Sequence, residues 1–256
     1  MGIQTNLSVS VGMINPKRLY QEIGLGLQKR IASGEFGLGA RLPPEREIAE
    51  ELDVSRSVVR EAIIMLELQG FVEVRKGSGV YVIKLPSSLN EDQDPELNRN
   101  SDVGPFELLQ ARQVLESQIA SFSASNVTKN DISRLRSYLD QERINLESDK
   151  EDYECDRMFH LTIAEASQNS VLSDILQDLW NRREESPMWQ QLHSRITSNT
   201  YRYQWLEDHE KILLALQKRD PEGARKAMWQ HIENVKQTLF KLSDVDDPSF
   251  DGYLFR

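Results

Sequence analysis

The chain contains 256 residues, of which 39% are hydrophobic and 28% charged, a mixture typical of a globular protein of one or two domains. No apolar run approaches the roughly 18 residues that a membrane helix needs, and residues 1–15 lack the basic start and apolar core of a secretion signal. The single cysteine, Cys155, cannot form an internal disulfide, so we expect a reducing cytoplasm.

The net charge of −10 at first argues against a protein that binds nucleic acid. The charge is unevenly distributed, however. Residues 16–85 contain 11 basic and 10 acidic side chains, a net charge of +1, so the rest of the chain carries −11. This distribution permits DNA binding by the N-terminal segment without demonstrating it.

The N-terminal segment predicts three helices. After a disordered lead over residues 1–15, Asn15 and Pro16 favour a helix start, and Leu19 and Ile31 bound an apolar stripe that repeats every four residues. A second helix is predicted from about Pro44. A third follows the N-cap residue Ser55 and ends near Gly70.

The periodicity then changes to that of a strand. Val72 and Val74 alternate with polar residues, as do Val80 and Val82, and glycines between the two pairs favour a turn. Three helices followed by a hairpin with a basic tip are typical of a winged helix-turn-helix. We therefore predict a DNA-binding domain over residues 16–85.

The third helix presents the side chains best suited to reading DNA. Arg56 and Arg60 are four residues apart, so they project from one helical face, and an arginine fork matches the O6 and N7 atoms of guanine. A solvated helix face is the alternative, which the basic hairpin makes less attractive. The candidate DNA contacts are Arg46, Ser55, Arg56, Ser57, Arg60, Arg75, Lys76 and Gly77.

The remainder predicts an all-α domain. Residues 86–103 are polar and acidic and contain two prolines, as expected of a linker. Residues 104–242 show helical periodicity throughout, with Thr128, Asn169 and Asp220 as predicted helix starts, and residues 243–256 form a tail. The fold class is therefore mainly α: a winged helix-turn-helix followed by a bundle of six or seven helices.

The C-terminal domain contains all four histidines of the chain. Asp156 and His160 are one helical turn apart, and His209 and His231 lie on later helices. Together they can converge on a divalent metal in a bundle core. Taken alone, this pattern is more often explained by hydrogen-bonded core residues.

The N-terminal segment is recognisable. LPPEREIAEELDVSRSVVREAIIMLELQGFVEVRKGSGVYV resembles the DNA-binding domain of the GntR family of bacterial regulators. The resemblance implies that Arg46, Arg56 and Arg60 are the main DNA-contacting arginines and that Lys76 and Gly77 enter the minor groove. It also implies a homodimer that binds palindromic double-stranded operator DNA.

The C-terminal segment resembles the effector domain of the FadR subgroup of that family, through ARQVLE and DRMFHLTIAEASQN. This resemblance implies zinc or nickel bound by Asp156, His160, His209 and His231. It also implies that Arg112 holds an effector carboxylate.

Further segments, including PMWQQLH and AMWQHIENVKQ, are similar to hexuronate-utilisation repressors of the UxuR/ExuR type. The effector would then be a hexuronate or its ketouronate product. Trp189 and His193 are candidate sugar contacts, with core packing as the alternative. Glu116 and Asn169 are candidates to orient a ligand residue or to contact a sugar hydroxyl.

The sequence thus favours a cytoplasmic, nucleoid-associated repressor that a sugar acid releases from DNA. Two other regulators remain open: one that responds to another hydroxy or dicarboxylic acid, and one that activates. A metal-dependent sugar-acid enzyme is a weaker alternative, because the chain lacks the HExxH, nucleophile-elbow and P-loop patterns.

Overall fold

A computed structural model describes residues 18–75, 77–86, 103–148, 150, 153–196 and 201–244. The predicted N-terminal lead with Asn15, the wing residue Lys76, most of the predicted linker and most of the predicted tail lie outside these ranges. No helix within them is both long and apolar enough to cross a membrane.

The N-terminal unit consists of three helices and a two-stranded antiparallel sheet. Its elements are α1 (Leu19–Ala32), α2 (Glu45–Leu52), α3 (Arg56–Leu68), β1 (Val72–Arg75) and β2 (Gly79–Val82). Val72 pairs with Val82, and Val74 with Val80, so the predicted alternation directs valines towards the helices. Gly77 and Gly79 have positive φ angles of 68° and 110°, which explains why glycines form the wing turn.

Three residues, Asp53 to Ser55, connect α2 to α3. Asp53 adopts the left-handed conformation, with φ 52°, and closes α2. Ser55 then stands at the N-cap position of α3, although its hydroxyl lies 2.9 Å from that of Ser57 rather than on a helix amide. This geometry places the first turn of α3 at the surface of the N-terminal unit.

The C-terminal part contains seven helices among the described residues, within the predicted six or seven. They are α4 (Pro105–Asn126), α5 (Lys129–Glu147), α6 (Glu154–Ala166), α7 (Ser170–Glu185), α8 (Pro187–Ser194), α9 (Tyr201–Gln217) and α10 (Pro221–Leu242). Helix α10 packs along α4 and α9, and α5 packs against α6 and α9.

Helix starts in this bundle follow the predicted capping residues. Thr128 accepts from the backbone amide of Asp131 at 3.2 Å, and Asp220 accepts from that of Gly223 at 2.9 Å. The bundle core between the helices contains Trp180, Phe159 and Phe106, all essentially buried. Polar side chains that interrupt this core form the candidate site.

Candidate metal centre and DNA-reading surface

Four metal-binding side chains converge inside the bundle. Asp156 and His160 project from α6, His209 from α9 and His231 from α10, and all four are buried. Their donor atoms lie within 4.8 Å of one another. Helix packing thus assembles the four residues that the family resemblance implied as a metal set.

The spacing of the donors fits one metal ion. His209 Nε2 lies 3.3 Å from His160 Nε2 and 3.2 Å from His231 Nε2, and Asp156 Oδ1 lies 3.4 Å from both His160 and His209 Nε2. Ligands held about 2.0–2.1 Å from a tetrahedral zinc ion are about 3.3 Å apart. The donor set therefore matches a single divalent cation in both chemistry and distance.

Two buried carboxylates contact the Nδ1 atoms of two histidines, on the opposite side of each ring from the converging Nε2 atoms. Glu116 accepts from His160 Nδ1, and Glu142 Oε2 lies 3.1 Å from His209 Nδ1. A carboxylate on Nδ1 fixes the imidazole tautomer and directs the Nε2 lone pair towards a metal. Glu116 was predicted as a site residue, whereas Glu142 was not. The signal for Glu142 is an acidic residue in helical phase with the apolar positions Leu135 and Leu139.

The charges around the cluster perturb its titration. Burial opposes the charge on His160, but Glu116 and Asp156 outweigh it and raise the pKa of His160 to about 9. Burial and the neighbouring His209 and His160 lower the pKa of His231. His231 is therefore neutral and ready to act as a ligand.

Arg112 belongs to this network rather than to an open pocket. It is 4% exposed, and its Nε donates to Glu116 Oε1 at 2.6 Å. Burial favours the neutral form of Glu116, but the charges of Arg112 and His160 lower its pKa to about 2. The Arg112 guanidinium also lies 4.0 Å from the centroid of the Trp180 ring. The expected carboxylate-binding arginine is thus already paired with an acid.

An open cleft of about 440 Å³ lies beside the cluster and contains two of the predicted effector residues. Trp189 and His193 line it together with Tyr153 and Arg183. The Tyr153 hydroxyl lies 3.2 Å from His193 Nε2, which positions both polar groups on the cleft wall.

Asn169 does not line this cleft. It is exposed, and its side chain accepts from the backbone amide of Leu172 at 3.3 Å, capping α7. Its role as a helix start is as predicted from the sequence, and its contact with an effector stays a prediction.

Most of the predicted DNA contacts lie at the surface of the N-terminal unit. Arg46 is exposed on α2, Ser55 is exposed and Ser57 half-buried at the start of α3, and Gly77 is exposed in the wing. The Arg75 side chain is exposed and pairs with Glu73 at 2.8 Å. Lys76 lies outside the described residues.

Arg60 departs from the prediction. Its side chain is fully buried, and its Nε donates to both carboxylate oxygens of Glu45, at 3.0 and 2.9 Å. Its Nη1 donates to the Phe240 carbonyl and to Ser243 Oγ, at the end of α10. The expected accessibility of Arg60 to DNA is therefore wrong for this conformation, because α10 covers it.

Arg56 shares that contact but is less covered. Its Nη2 donates to Asp244 Oδ2 at 2.6 Å, and its guanidinium lies 5.1 Å from the centroid of the Phe240 ring. The Arg60 guanidinium lies 4.1 Å from the same ring. Both arginines thus lie on one helical face, as expected, but this face docks on the end of α10.

A second contact joins α3 to the start of α4. Glu61 Oε1 accepts from the backbone amides of Phe106 and Glu107, at 2.7 and 3.0 Å. Burial raises the pKa of Glu61 to about 7, against the effect of these two hydrogen bonds. A Cβ at Gly104 would overlap the Glu61 carboxylate, so glycine permits this close approach. A third contact is the ion pair of Glu67 with Arg195 at the end of α8, so the recognition helix packs against the bundle at several places.

Comparison with known proteins identifies both parts of the chain. Residues 19–82 match the family described as "Bacterial regulatory proteins, gntR family", and residues 107–234 match the FCD domain family.

The chain is similar to several curated regulators along nearly its whole length. It is 52% identical to the Uxu operon regulator of Haemophilus influenzae, covering 93% of this chain and 88% of that protein. It is 47% identical to the Exu regulon transcriptional regulator of Escherichia coli strain K12, covering 94% and 92%. Among solved structures, Streptococcus agalactiae GntR matches with 26% identity and a TM-score of 0.45, covering 86% of this chain and 99% of that one.

Proposed function

Since the chain belongs to the GntR family of bacterial transcription regulators and carries an FCD domain, we propose that it represses sugar-acid utilisation genes of the Uxu or Exu kind. It acts in the cytoplasm, at the nucleoid, as a homodimer on a palindromic operator. The family and the relatives reported above are regulators, so the enzyme alternative is set aside.

The observation that carries the effector proposal is the buried Asp156 and histidine cluster, with a nearby cleft whose largely apolar wall includes the polar groups of Tyr153 and His193. We expect the cluster to hold zinc or nickel. Bound there, the cation would supply positive charge for carboxylate and hydroxyl oxygens. Tyr153 and His193 offer hydrogen bonds to sugar hydroxyls, and Trp189 offers a flat apolar face. These features suit a hexuronate or ketouronate.

The docked recognition helix supplies a form of the protein that cannot bind an operator. Arg60 is buried and Arg56 pairs with Asp244, so neither can reach a base while α3 lies on α10. Operator binding requires the N-terminal unit to leave this position. We propose that the docked form is the released form and that effector favours it.

Helix α10 connects the effector site to the docked arginines. It carries His231 in the cluster, and Phe240 follows nine residues later, about 14 Å along the helix axis. A shift of α10 caused by ligand at His231 therefore moves the surface that holds Arg56 and Arg60.

The central experiment is an operator gel shift titrated with glucuronate, galacturonate and their ketouronates. We expect one of them to weaken operator binding. If all four have no effect but another hydroxy or dicarboxylic acid releases the operator, the hexuronate assignment is wrong. Tighter operator binding with effector would contradict release.

Variants assign the two functions to the two parts of the chain. Arg56→Ala should cost about 1–3 kcal/mol of specific operator binding, with Arg225→Ala as the control for loss of a surface arginine. Arg60→Ala is a poorer test because it removes the bidentate partner of the buried Glu45 carboxylate. His209→Ala should remove the metal and the effector response but retain operator binding. Wild-type operator affinity in Arg56→Ala would refute the assigned recognition helix.

A further inference from the structure

Arg183 is a buried cation whose charge acts on Asp156 of the cluster. It lies on α7, is 9% exposed, and has no ion-pair or hydrogen-bond partner within the described part of the chain. Its Nε is fully buried without a hydrogen bond. A guanidinium N–H that is buried without an acceptor costs free energy. The unsatisfied Nε of Arg183 indicates that a bound ligand supplies the missing acceptor.

Aromatic rings hold Arg183 in place without satisfying its donors. The guanidinium carbon lies 4.9 Å from the centroid of the Trp180 ring, 4.7 Å from that of Trp189 and 5.7 Å from that of Tyr153. Ring faces attract the charge but accept no strong hydrogen bond along its edge. Burial lowers the pKa of Arg183, and Asp156 opposes this effect through its charge. The arginine is therefore fixed in orientation and still able to bind an anion.

Arg183 is better suited than Arg112 to bind a new carboxylate. Arg112 donates to Glu116, which in turn accepts from His160, so an added carboxylate at Arg112 would compete with a buried acid. Both arginines lie against Trp180, on whose ring His160 also packs at 5.5 Å between centroids. Arg183 alone of the two lines the cleft that Tyr153 and His193 share.

We propose that Arg183 binds the carboxylate of the effector and that Arg112 is a positioning residue, which holds Glu116 and through it His160. This proposal rests on the proposed function, because it takes the cleft as the effector site. The ligand it implies is a compact polyhydroxy monocarboxylate. Its carboxylate forms two hydrogen bonds with the guanidinium edge, and its hydroxyls reach Tyr153 and His193. A cleft of about 440 Å³ accommodates a molecule of that size.

The test is isothermal titration of the full-length, metal-loaded protein with glucuronate, galacturonate and their ketouronates, and with glucose as the neutral hexose. We expect wild type to bind a uronate and not glucose. Arg183→Gln should weaken uronate binding roughly 10- to 100-fold, the usual contribution of hydrogen bonds to a charged group. Arg183→Lys should recover only part of the loss, because it keeps the charge without the planar fork. Arg182→Gln, on the exposed face of the same helix, is the matched control and should bind as wild type.

Metal content and the unfolding temperature show whether a variant loses uronate binding directly or because it loses its metal or its fold. Arg183→Gln should retain its metal and unfold at or above the wild-type temperature, because it removes a buried charge without a partner. Arg112→Gln should lose metal affinity. Wild-type uronate affinity in Arg183→Gln would overturn the proposal, as would an Arg112→Gln variant that keeps its metal but loses uronate binding. If wild type binds none of the ligands, the proposed hexuronate function itself fails.

Discussion

Single polar residues on otherwise apolar helix faces lie at or near the proposed effector site. Glu142 on α5 is 4% exposed and contacts a histidine of the metal cluster. Arg183 on α7 follows the buried Leu176 and Trp180 at helical spacing. Burial of a charge is costly unless a partner or a function compensates it. Such positions are therefore the residues through which sequence reasoning can locate a site.

The contact between Glu142 and His209 gives a residue-scale prediction. Glu142→Gln removes the negative charge that orients and polarises the imidazole, so metal affinity should fall about 10- to 100-fold. Competition for the metal with a fluorescent chelator measures this affinity. Glu147→Gln, exposed on the same helix, should retain wild-type affinity. Equal metal affinity in both variants would show that Glu142 does not support the ligand.

At the scale of elements, α3 packs both within the N-terminal unit and against the C-terminal bundle. Its buried residues Val59, Ile63 and Leu66 fix it within the N-terminal unit, whereas its arginines and Glu61 contact the bundle. Both hydrogen bonds from α4 reach one oxygen of Glu61, so the other oxygen is free to carry a proton. Docking is thus compatible with a neutral Glu61.

The raised pKa of Glu61 makes docking depend on pH. Glu107 and Arg18 are the other charged groups that act on it, in opposite directions. An undocked, exposed Glu61 titrates near its ordinary pKa of 4.5, and the docked one at about 7, so docking loses stability as the pH rises between these values. Operator affinity should therefore gain a component that increases with pH in this window and levels off above it.

Glu61→Gln mimics the neutral form and tests this element. It should remove the pH component and hold the docked form at all pH values, which lowers operator affinity at pH 8 relative to wild type. Fluorescence anisotropy with labelled operator between pH 5 and 8 measures both effects. Glu67→Gln, which breaks the ion pair of Glu67 with Arg195, is a comparison that leaves the titrating group intact. An unchanged pH profile in Glu61→Gln would contradict the assignment.

How far the sequence predicts these elements depends on how local their causes are. Thr128 and Asp220 set helix starts through hydrogen bonds three residues away, and the wing follows from alternating valines and two glycines. The burial of Arg60 has no such local signal. Its contacts with Phe240 and Ser243 span 180 or more residues, so they depend on how two folded parts pack. Glu142 lies between these cases, since its helix phase was visible but its partner was not.

At the scale of the whole molecule, the uneven charge distribution explains how the arginines of α3 are held against the end of α10. The acidic remainder of the chain supplies Asp244, whose carboxylate lies against Arg56 and, at 3.4 Å, against Arg60. A carboxylate there occupies guanidinium groups that would otherwise face phosphate or guanine. In the proposed docked form Asp244 therefore competes with DNA for Arg56 and Arg60. It lies just beyond the end of α10, the helix that contributes His231 to the buried cluster.

Thermodynamic linkage allows the coupling to be measured in two ways, as the effect of operator on uronate binding and as the effect of uronate on operator binding. If uronate favours the docked form, saturating operator must weaken uronate binding by the same factor by which uronate weakens operator binding, typically about 5- to 150-fold. Asp244→Asn removes the ion pairs with Arg56 and Arg60 but leaves the cluster intact, so it should reduce both factors together. Titration calorimetry with and without operator gives one factor, and anisotropy with and without uronate gives the other. Glu222→Gln, at the opposite end of α10, should leave both factors at their wild-type values.

A reduced factor in only one direction breaks the thermodynamic cycle and means that uronate acts outside the equilibrium between docked and operator-bound forms. Two unchanged factors in Asp244→Asn mean that coupling does not pass through the end of α10.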